Sequence, residues 1–444
     1  MIENPDYKIN WNQYFDALDS CMPIMPEGKI SRVIGLVAEG DGLGLGIGSL
    51  CIIKNNENQE IKAEVIGFRD EKVLLMPYGN IRGISPGSRI IPFAESPEAF
   101  VGNEFIGRII DGMGMPLDGK GTIDSKIRYP LYGKPINPMH RKPIKEYIDV
   151  GINAINTMMT LGRGQRVAIM SGSGVGKSML MGMMTKHTEA DITVVGLIGE
   201  RGREVKDFIN DILGEDGIKK SVVIAATSDT PPLVRIRGAY LATTIAEYFR
   251  DQGKNVLLII DSITRFAMSY RDVGLAAGEF PTSKGYTPSF FVQIPILLER
   301  AGYVEKSGSI TGIYTVLVEG DDFNDPVGDT VRSIVDGHII LTRELADKGH
   351  YPAIDVLASV SRVIRSVTLP EHFKIREKAI DIIAAYKNAE DMISIGAYVD
   401  GSNPKIDQAK KLMPLINQFL KQDINKKNEL QQGVKKLSEI LSKV

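Results

Sequence analysis

The stretch VAIMSGSGVGKSMLMGMM, residues 167–184, decides the fold. An apolar run stops at a loop of Ser and Gly, the loop ends in Gly-Lys-Ser, and a helix-forming run follows. This order predicts a strand over 166–170, a tight loop, and a helix over 179–186. A phosphate chain is densely anionic, so a site for it needs inward-pointing backbone N–H groups, a helix N-terminus behind them and one cation. Gly172, Gly174 and Gly176 let the backbone curl without Cβ interference, Ser173 and Val175 fill the positions between them, and Lys177 reaches the outer phosphates. Ser178 is placed to offer its hydroxyl to a magnesium ion, and Met179 opens the helix proper. The strict pattern G-x-x-x-x-G-K-[ST] starts with Gly where this chain has Ser171, a small residue that the loop tolerates. The candidate nucleotide-binding residues thus run from 171 to 179.

Downstream of this loop, strands and helices alternate. TVVGLIG (193–199), SVVIAAT (221–227) and NVLLIID (255–261) read as strands, with helices through REVKDFINDIL (203–213) and around 234–250. Continuous Val/Ile/Leu runs mark strands buried on both faces, which predicts an α/β domain with a parallel sheet covered by helices. Upstream, SRVIGLVAE, SLCIIK, KAEVIGF and KVLLMPY are short β-rich pieces separated by turn residues, the pattern of a small closed barrel. Residues 96–165 are turn-rich and read as a connector wrapped on the next domain. Beyond about 370 the pattern is helical. Trp11, Tyr14, Phe15 and Leu18 fall at i, i+3, i+4 and i+7, one apolar face of a short helix. The expected division is a partner-binding helix in 1–22, a barrel in 23–95, a nucleotide domain in 96–370 and a helical domain in 371–444.

Composition narrows the function. The 444 residues are 43% apolar with a formal net charge of −2, enough for large cores and without a basic footprint for nucleic acid. Two cysteines, Cys21 and Cys51, lack metal-ligand spacing, and five scattered histidines form no ligand cluster, so a disulfide framework or zinc site is not expected. The N-terminal MIENPDYKINW lacks a secretory pattern, and no apolar run approaches bilayer length. A soluble, cytoplasmic protein is expected, one able to dock on a membrane machine.

Hydrolysis needs more than a phosphate loop. VLLIID ends in Asp261, at the strand edge where a protein of this kind keeps its second magnesium anchor. GERGRE places Glu200 and Arg201 at the same edge, where a carboxylate can polarise the attacking water and an arginine can steady developing charge. In HYPAIDVLASVSRVIRS, Tyr351 offers either a flat face for adenine or a core side chain. Arg362 offers either a cation for a neighbour's site or an ordinary ion pair. The residues alone leave both pairs open.

Taken together, DGMGMPLDGKG, SGSGVGKS, GERGREV, VLLIIDSITRFAMSYRDVGLAAGE, DDFNDPVGDTVRSIVDGHI, YPAIDVLASVSRV and IGAYVDGSNPKID resemble the rotary ATPases, and within them the type III export ATPases, the flagellar ones most closely. The resemblance covers nearly the whole chain. It implies that Lys177 binds the β/γ-phosphates of ATP, that Ser178 and Asp261 hold Mg2+, and that Glu200 activates water beside Arg201. It also implies that Arg362 enters the neighbouring subunit's site as an arginine finger and that Tyr351 stacks on adenine. Members act as homohexameric rings at the export gate on the inner membrane, handling export substrates or their chaperones. Their C-terminal helices grip a coiled-coil stalk protein, and a dimeric stator-like regulator binds the N-terminal helix.

Rival readings fare worse. Residues 371–444 contain no acidic helix like that of an ATP synthase catalytic subunit. A non-catalytic ring subunit should lack Glu200, and an RNA translocase needs an RNA-reading N-terminal domain. Residues 21–100 carry 8 Lys/Arg against 10 Asp/Glu, which disfavours RNA. A virulence-type secretion ATPase is the near alternative, with the GSGVGKS loop favouring the flagellar branch. From Lys405 onward, 9 Lys face 4 Asp/Glu, and Leu412, Leu415, Ile416, Phe419 and Leu420 form one helical apolar face.

Overall fold

A computed structural model describes residues 10–20, 27–41, 44–318 and 325–443; Cys21 and part of DDFNDPVGD lie outside them. The chain forms two compact units, one up to Pro97 and one from Glu98 onward.

The first unit contains the helix Trp11–Ser20 and a closed six-stranded barrel. Around the barrel the strands run Gly28–Ile34, Val37–Asp41, Lys72–Pro77, Glu60–Arg69, Leu50–Lys54 and Arg89–Ala94, which returns to the first. Alternate residues point inward, so Ile30, Ile53, Val65, Val73, Leu75 and Ile90 are buried. The barrel closes tightly where Gly40 lacks a side chain: a Cβ there would lie 2.2 Å from Ile90 Cδ1. Cys51 is one of the inward residues, and burial pushes its thiol up to about 11. The faces of Trp11, Tyr14, Phe15 and Leu18 are exposed.

The second unit is built on a sheet in the spatial order Ile354–Ser361, Gly337–Leu341, Arg166–Ser171, Ser309–Leu317, Asn255–Asp261, Ile192–Ile198, Ser221–Ala226 and Ile109–Asp111. Successive neighbours are parallel except at the Ile354–Ser361 edge, which runs antiparallel. All seven residues of Ile192–Ile198 are buried, as a sheet covered on both faces requires. The helix Pro232–Asp251 covers one face. The loop helix Lys177–His187 and the C-terminal helices Pro370–Ser394, Pro404–Leu420 and Leu430–Leu441 cover the other. Leu412, Ile416, Phe419 and Leu420 are buried in that second core, with Leu415 partly buried against it. Each such side chain contributes about 1.5–3 kcal/mol on burial, so this apolar face is committed to local packing.

Two segments differ from the sequence reading. The connector is not only a wrap: Ile109–Asp111 joins the sheet as an edge strand beside Ser221–Ala226. Arg300 pins it further along, completely buried, donating Nε to Glu247 Oε1 at 2.9 Å and Nη1 to the Leu131 carbonyl at 2.8 Å. The helix over 203–213 is α-helical only at Gly202–Asp207; Phe208–Leu213 is a π-helical turn, and Gly214–Lys219 resumes α. That turn packs on the loop helix where Gly182 leaves room, since a Cβ there would fall 1.9 Å from Ile212 Cγ2.

Candidate active site

The strand Arg166–Ser171 is buried from Val167 onward, so it ends rigidly at the loop. Gly174 and Gly176 hold φ of 77° and 93°, left-handed values that a side chain would resist, and Lys177 begins the helix directly after Gly176. The resulting helix N-terminus faces an open cleft of about 710 Å³. Gly172, Ser173, Gly174, Gly176, Lys177, Ser178 and Met179 line it, as do Glu200 and Arg201. Ser171 and Val175 stand behind it, both buried. Ser171 is tied into the sheet by the Val318 N–H to its carbonyl at 2.9 Å, and Val175 sits in the core under the loop.

Three charges meet at the base of the cleft. Lys177 Nζ lies 2.5 Å from Asp261 Oδ1 and 3.4 Å from Glu200 Oε1. Thr315 Oγ1 donates to the same Asp261 oxygen at 2.5 Å. Burial opposes the charge on Lys177, but Asp261 and Glu200 outweigh it and raise its pKa, so the lysine is held protonated. Burial raises the pKa of Glu200, Lys177 opposes that rise, and Asp261 and Glu204 add to it. A raised pKa makes the Glu200 carboxylate a better acceptor for a proton from water.

Among the described residues, no three His, Cys, Asp or Glu side chains are grouped to cage a metal. Magnesium does not ask for such a cage: it takes one or two protein ligands, several waters and substrate phosphates. Ser178, Glu200 and Asp261 line one void of about 10 Å³, the size of a single water, so the Ser178 hydroxyl and the Asp261 carboxylate fit a magnesium that arrives with phosphates.

The hairpin tip between the strands Gly337–Leu341 and Ile354–Ser361 closes over the loop. A Cβ on Gly176 would lie 3.3 Å from Tyr351 Cε1, so the tyrosine ring lies against the phosphate loop, and it remains 44% exposed. From the same tip, Arg343 Nη2 donates to the Ser173 carbonyl at 3.0 Å. Arg201 does not fold onto Glu200. Its side chain is 82% exposed and reaches Glu204 at 3.6 Å.

Sequence reasoning passed over Arg265, which also lines the cleft and whose Nε is buried without a partner among the described residues. Its approach depends on Gly199, where a Cβ would fall 2.7 Å from Arg265 Cβ. The available signal was its place in the first turn of the helix Ile263–Ala277, which follows the strand ending at Asp261.

Arg362 is the predicted site residue that the fold keeps away from this cleft. Ser171 pairs with Leu341, which pairs with Ile354, whereas Ser361 pairs with Gly337 at the other end of the strand. Arg362 therefore lies level with Arg166, about 17 Å along the strand from the loop at roughly 3.3 Å per residue.

Residues 151–361 match the nucleotide-binding domain of the ATP synthase alpha/beta family, residues 30–93 its beta-barrel domain, and residues 368–439 the T3SS EscN ATPase C-terminal domain. Among curated proteins, the "Flagellum-specific ATP synthase" of Pseudomonas aeruginosa is 48% identical, with 99% of each chain covered. The protein of the same name from Bacillus subtilis is 49% identical over 93% of this chain and 94% of its own. Among solved structures, the assembled ATPase EscN from the enteropathogenic E. coli type III secretion system superposes with a TM-score of 0.88 at 43% identity, covering 93% of this chain and 100% of that one. EscN in complex with its central stalk EscO gives 0.86 at 42% identity, with the same coverage. The chain belongs to the ATP synthase alpha/beta family, among the P-loop ATPases of flagellar and type III export.

Proposed function

We propose that this ATPase hydrolyses ATP to ADP and phosphate to energise protein export through a flagellar type III apparatus. The observation that carries the hydrolytic reading is the meeting of Lys177, Glu200 and Asp261 in one cleft at the sheet edge. Binding alone has no use for Glu200 there. Lys177 leaves its carboxylate partners for the β/γ-phosphates, and the loop N–H groups hold the phosphate chain. Glu200 orients a water in line with the γ-phosphorus and takes its proton as the new P–O bond forms and the bond to the β-phosphate oxygen breaks. Arg265, with Arg201 at the cleft mouth, neutralises the leaving charge. Ser178 and Asp261 would hold a magnesium ion, which when bound would supply positive charge to screen the phosphates. Tyr351 stacks on the adenine.

The same reading assigns the assembly. Subunits form a homohexameric ring in which Arg362 serves the neighbour's cleft; its distance from its own loop supports this. The turn between the helices Pro370–Ser394 and Pro404–Leu420 exposes Ile395 and Val399, 77% and 70% accessible, and we assign it with the basic C-terminal face to a coiled-coil stalk. The exposed aromatic face of the Trp11–Ser20 helix takes the stator-like regulator dimer, in line with helix-in-groove recognition. The protein works at the cytoplasmic side of the inner membrane, at the export gate and on exported proteins or their chaperones. No described helix is long and apolar enough to cross a membrane. The four-part division at about residues 22, 95 and 370 belongs to the same proposal.

A virulence-type secretion ATPase is the second reading, favoured by the likeness to EscN. Deletion of the gene and complementation with Glu200→Gln separates them. Loss of flagellar filaments and motility with intact effector secretion supports the flagellar reading, and the reverse pattern overturns it.

A further inference from the structure

We infer that Asp336 is a positioning residue for Arg362, an inference that rests on the reading of Arg362 as a cation serving a neighbouring subunit's cleft. Arg362 is exposed and holds no carboxylate among the described ion pairs. Its main chain is fixed by the Arg362 N–H, which donates to the Asp336 carbonyl at 2.9 Å, and its side chain is steadied by Nη2 donating to the Arg332 carbonyl at 3.4 Å. Asp336 is in turn bound to Arg166 through four contacts. Its Oδ2 accepts from the Arg166 backbone N–H at 3.0 Å and from Nε at 3.1 Å, its Oδ1 accepts from Nη2 at 3.1 Å, and its own N–H donates to the Arg166 carbonyl at 2.8 Å. Burial works against the charge on Arg166, whose side chain is only 13% exposed, but Asp336 and Glu299 outweigh it and hold the guanidinium protonated. A forked, largely buried pair of this kind fixes geometry in a way that a single surface contact does not.

The consequence lies in where Arg166 sits. It is the first residue of the strand whose last residue, Ser171, leads into the phosphate loop. One six-residue strand, buried and rigid, therefore carries a subunit's own phosphate loop at one end and, through Asp336, the mount of Arg362 at the other. A cation that neutralises transition-state charge acts only when placed well, and misplacement by about 1 Å costs on the order of a hundredfold. Asp336 does not line this subunit's cleft, so its effect runs through Arg362.

Asp336→Asn keeps the size and the backbone carbonyl of Asp336 while weakening the fork to Arg166. On its own, this variant should lose about tenfold to a hundredfold in kcat with ATP-analogue binding and ATP KM unchanged. Mixed rings then tell positioning from general damage. At an ATP concentration that their weakened clefts do not bind, Lys177→Ala subunits are silent and keep an intact Arg362, so adding them should restore turnover in Asp336→Asn clefts severalfold. The control mixes Lys177→Ala with Arg362→Ala. Recovery in both mixtures supports the inference. Recovery in the control alone means that the Asp336→Asn defect is in its own cleft, which overturns it while the reading of Arg362 stands. Recovery in neither removes the neighbour-serving role of Arg362, and the inference with it. An unchanged kcat in Asp336→Asn also overturns it. Should that variant fail to fold, Arg166→Lys, which keeps the charge and loses the fork, carries the same test.

Discussion

At one edge of the central sheet, charge is gathered by short runs of sequence: Lys177 follows the loop glycines, and Glu200 and Asp261 stand at or just past the ends of two neighbouring strands. At the opposite edge, Arg166, Asp336 and Arg362 come from three separate strand ends and meet only through the register of the sheet. The first edge is a cleft with its charges turned inward, Lys177 held between two carboxylates. The second displays the exposed Arg362 on a largely buried ionic mount. A phosphate site facing inward and a mounted arginine facing outward suit the proposed ring, in which each interface would draw on two subunits.

The largest effect that tests this contrast is at the outward edge. Arg362→Ala should leave ATP binding intact and lower kcat by about 10³–10⁵, the range for a transition-state arginine. Wild-type turnover per subunit should rise with protein concentration as rings form. Flat specific activity on dilution to monomers, checked by light scattering, would break the comparison by making one subunit sufficient. At the inward edge, Glu200→Gln should cost about 10²–10⁴ in kcat with ATP still bound, whereas Lys177→Ala should chiefly weaken binding. Turnover near wild type in Glu200→Gln removes that residue from the chemistry. Because burial raises the Glu200 pKa, the acid limb of the wild-type rate profile should lie above the usual carboxylate range and vanish in this variant.

How much of each edge was legible follows from the same contrast. The strand–loop–helix of 166–187 could be read because glycine spacing and apolar runs are contiguous. In the barrel's closing strand, Arg89–Ala94, Pro92 runs against the local strand pattern; the fold accommodates it opposite Cys51, next to a register shift in the pairing with Leu50–Lys54. The edge strand Ile109–Asp111 has three residues, too few to show a period. The π-helical turn is permitted by Gly182 on another helix, so nothing within 208–213 announces it. Arg362 was visible only as a resemblance, and its mount was invisible, because Arg166 and Asp336 are distant in sequence and a bidentate pair leaves no local pattern.

A smaller effect concerns Tyr351, which the inward edge borrows from the hairpin tip. Tyr351→Ala should weaken ATP affinity by about 1–3 kcal/mol, the range for base stacking on an aromatic ring, with kcat at saturation little changed. Tyr351→Phe should restore affinity, since the face and not the hydroxyl is used. A fluorescent-nucleotide titration in which alanine and tyrosine bind alike would return Tyr351 to a packing role.

The smallest effect uses two histidines as reporters of the two edges. His338 pairs with Val360 near the outward edge, and its pKa is lowered first by burial, then by Arg332 and Arg362, against the Ala358 carbonyl. His350 sits beside Tyr351 at the inward edge, lowered by burial and by Lys421. Both therefore stay neutral in the folded protein at pH values where an unfolded chain takes up protons. Their contribution to stability is complete above an ordinary histidine pKa of about 6.5 and is lost as pH falls through the folded values, so Tm should decline on acidification across that window. Arg362→Ala deletes one of the charges acting on His338 and none of those acting on His350. In that variant the His338 imidazole resonances should titrate at higher pH than in wild type while those of His350 stay in place. If the two histidines move together, or neither moves, the Arg362 side chain is not held at the outward edge, and the contrast between the two edges fails at its most local point.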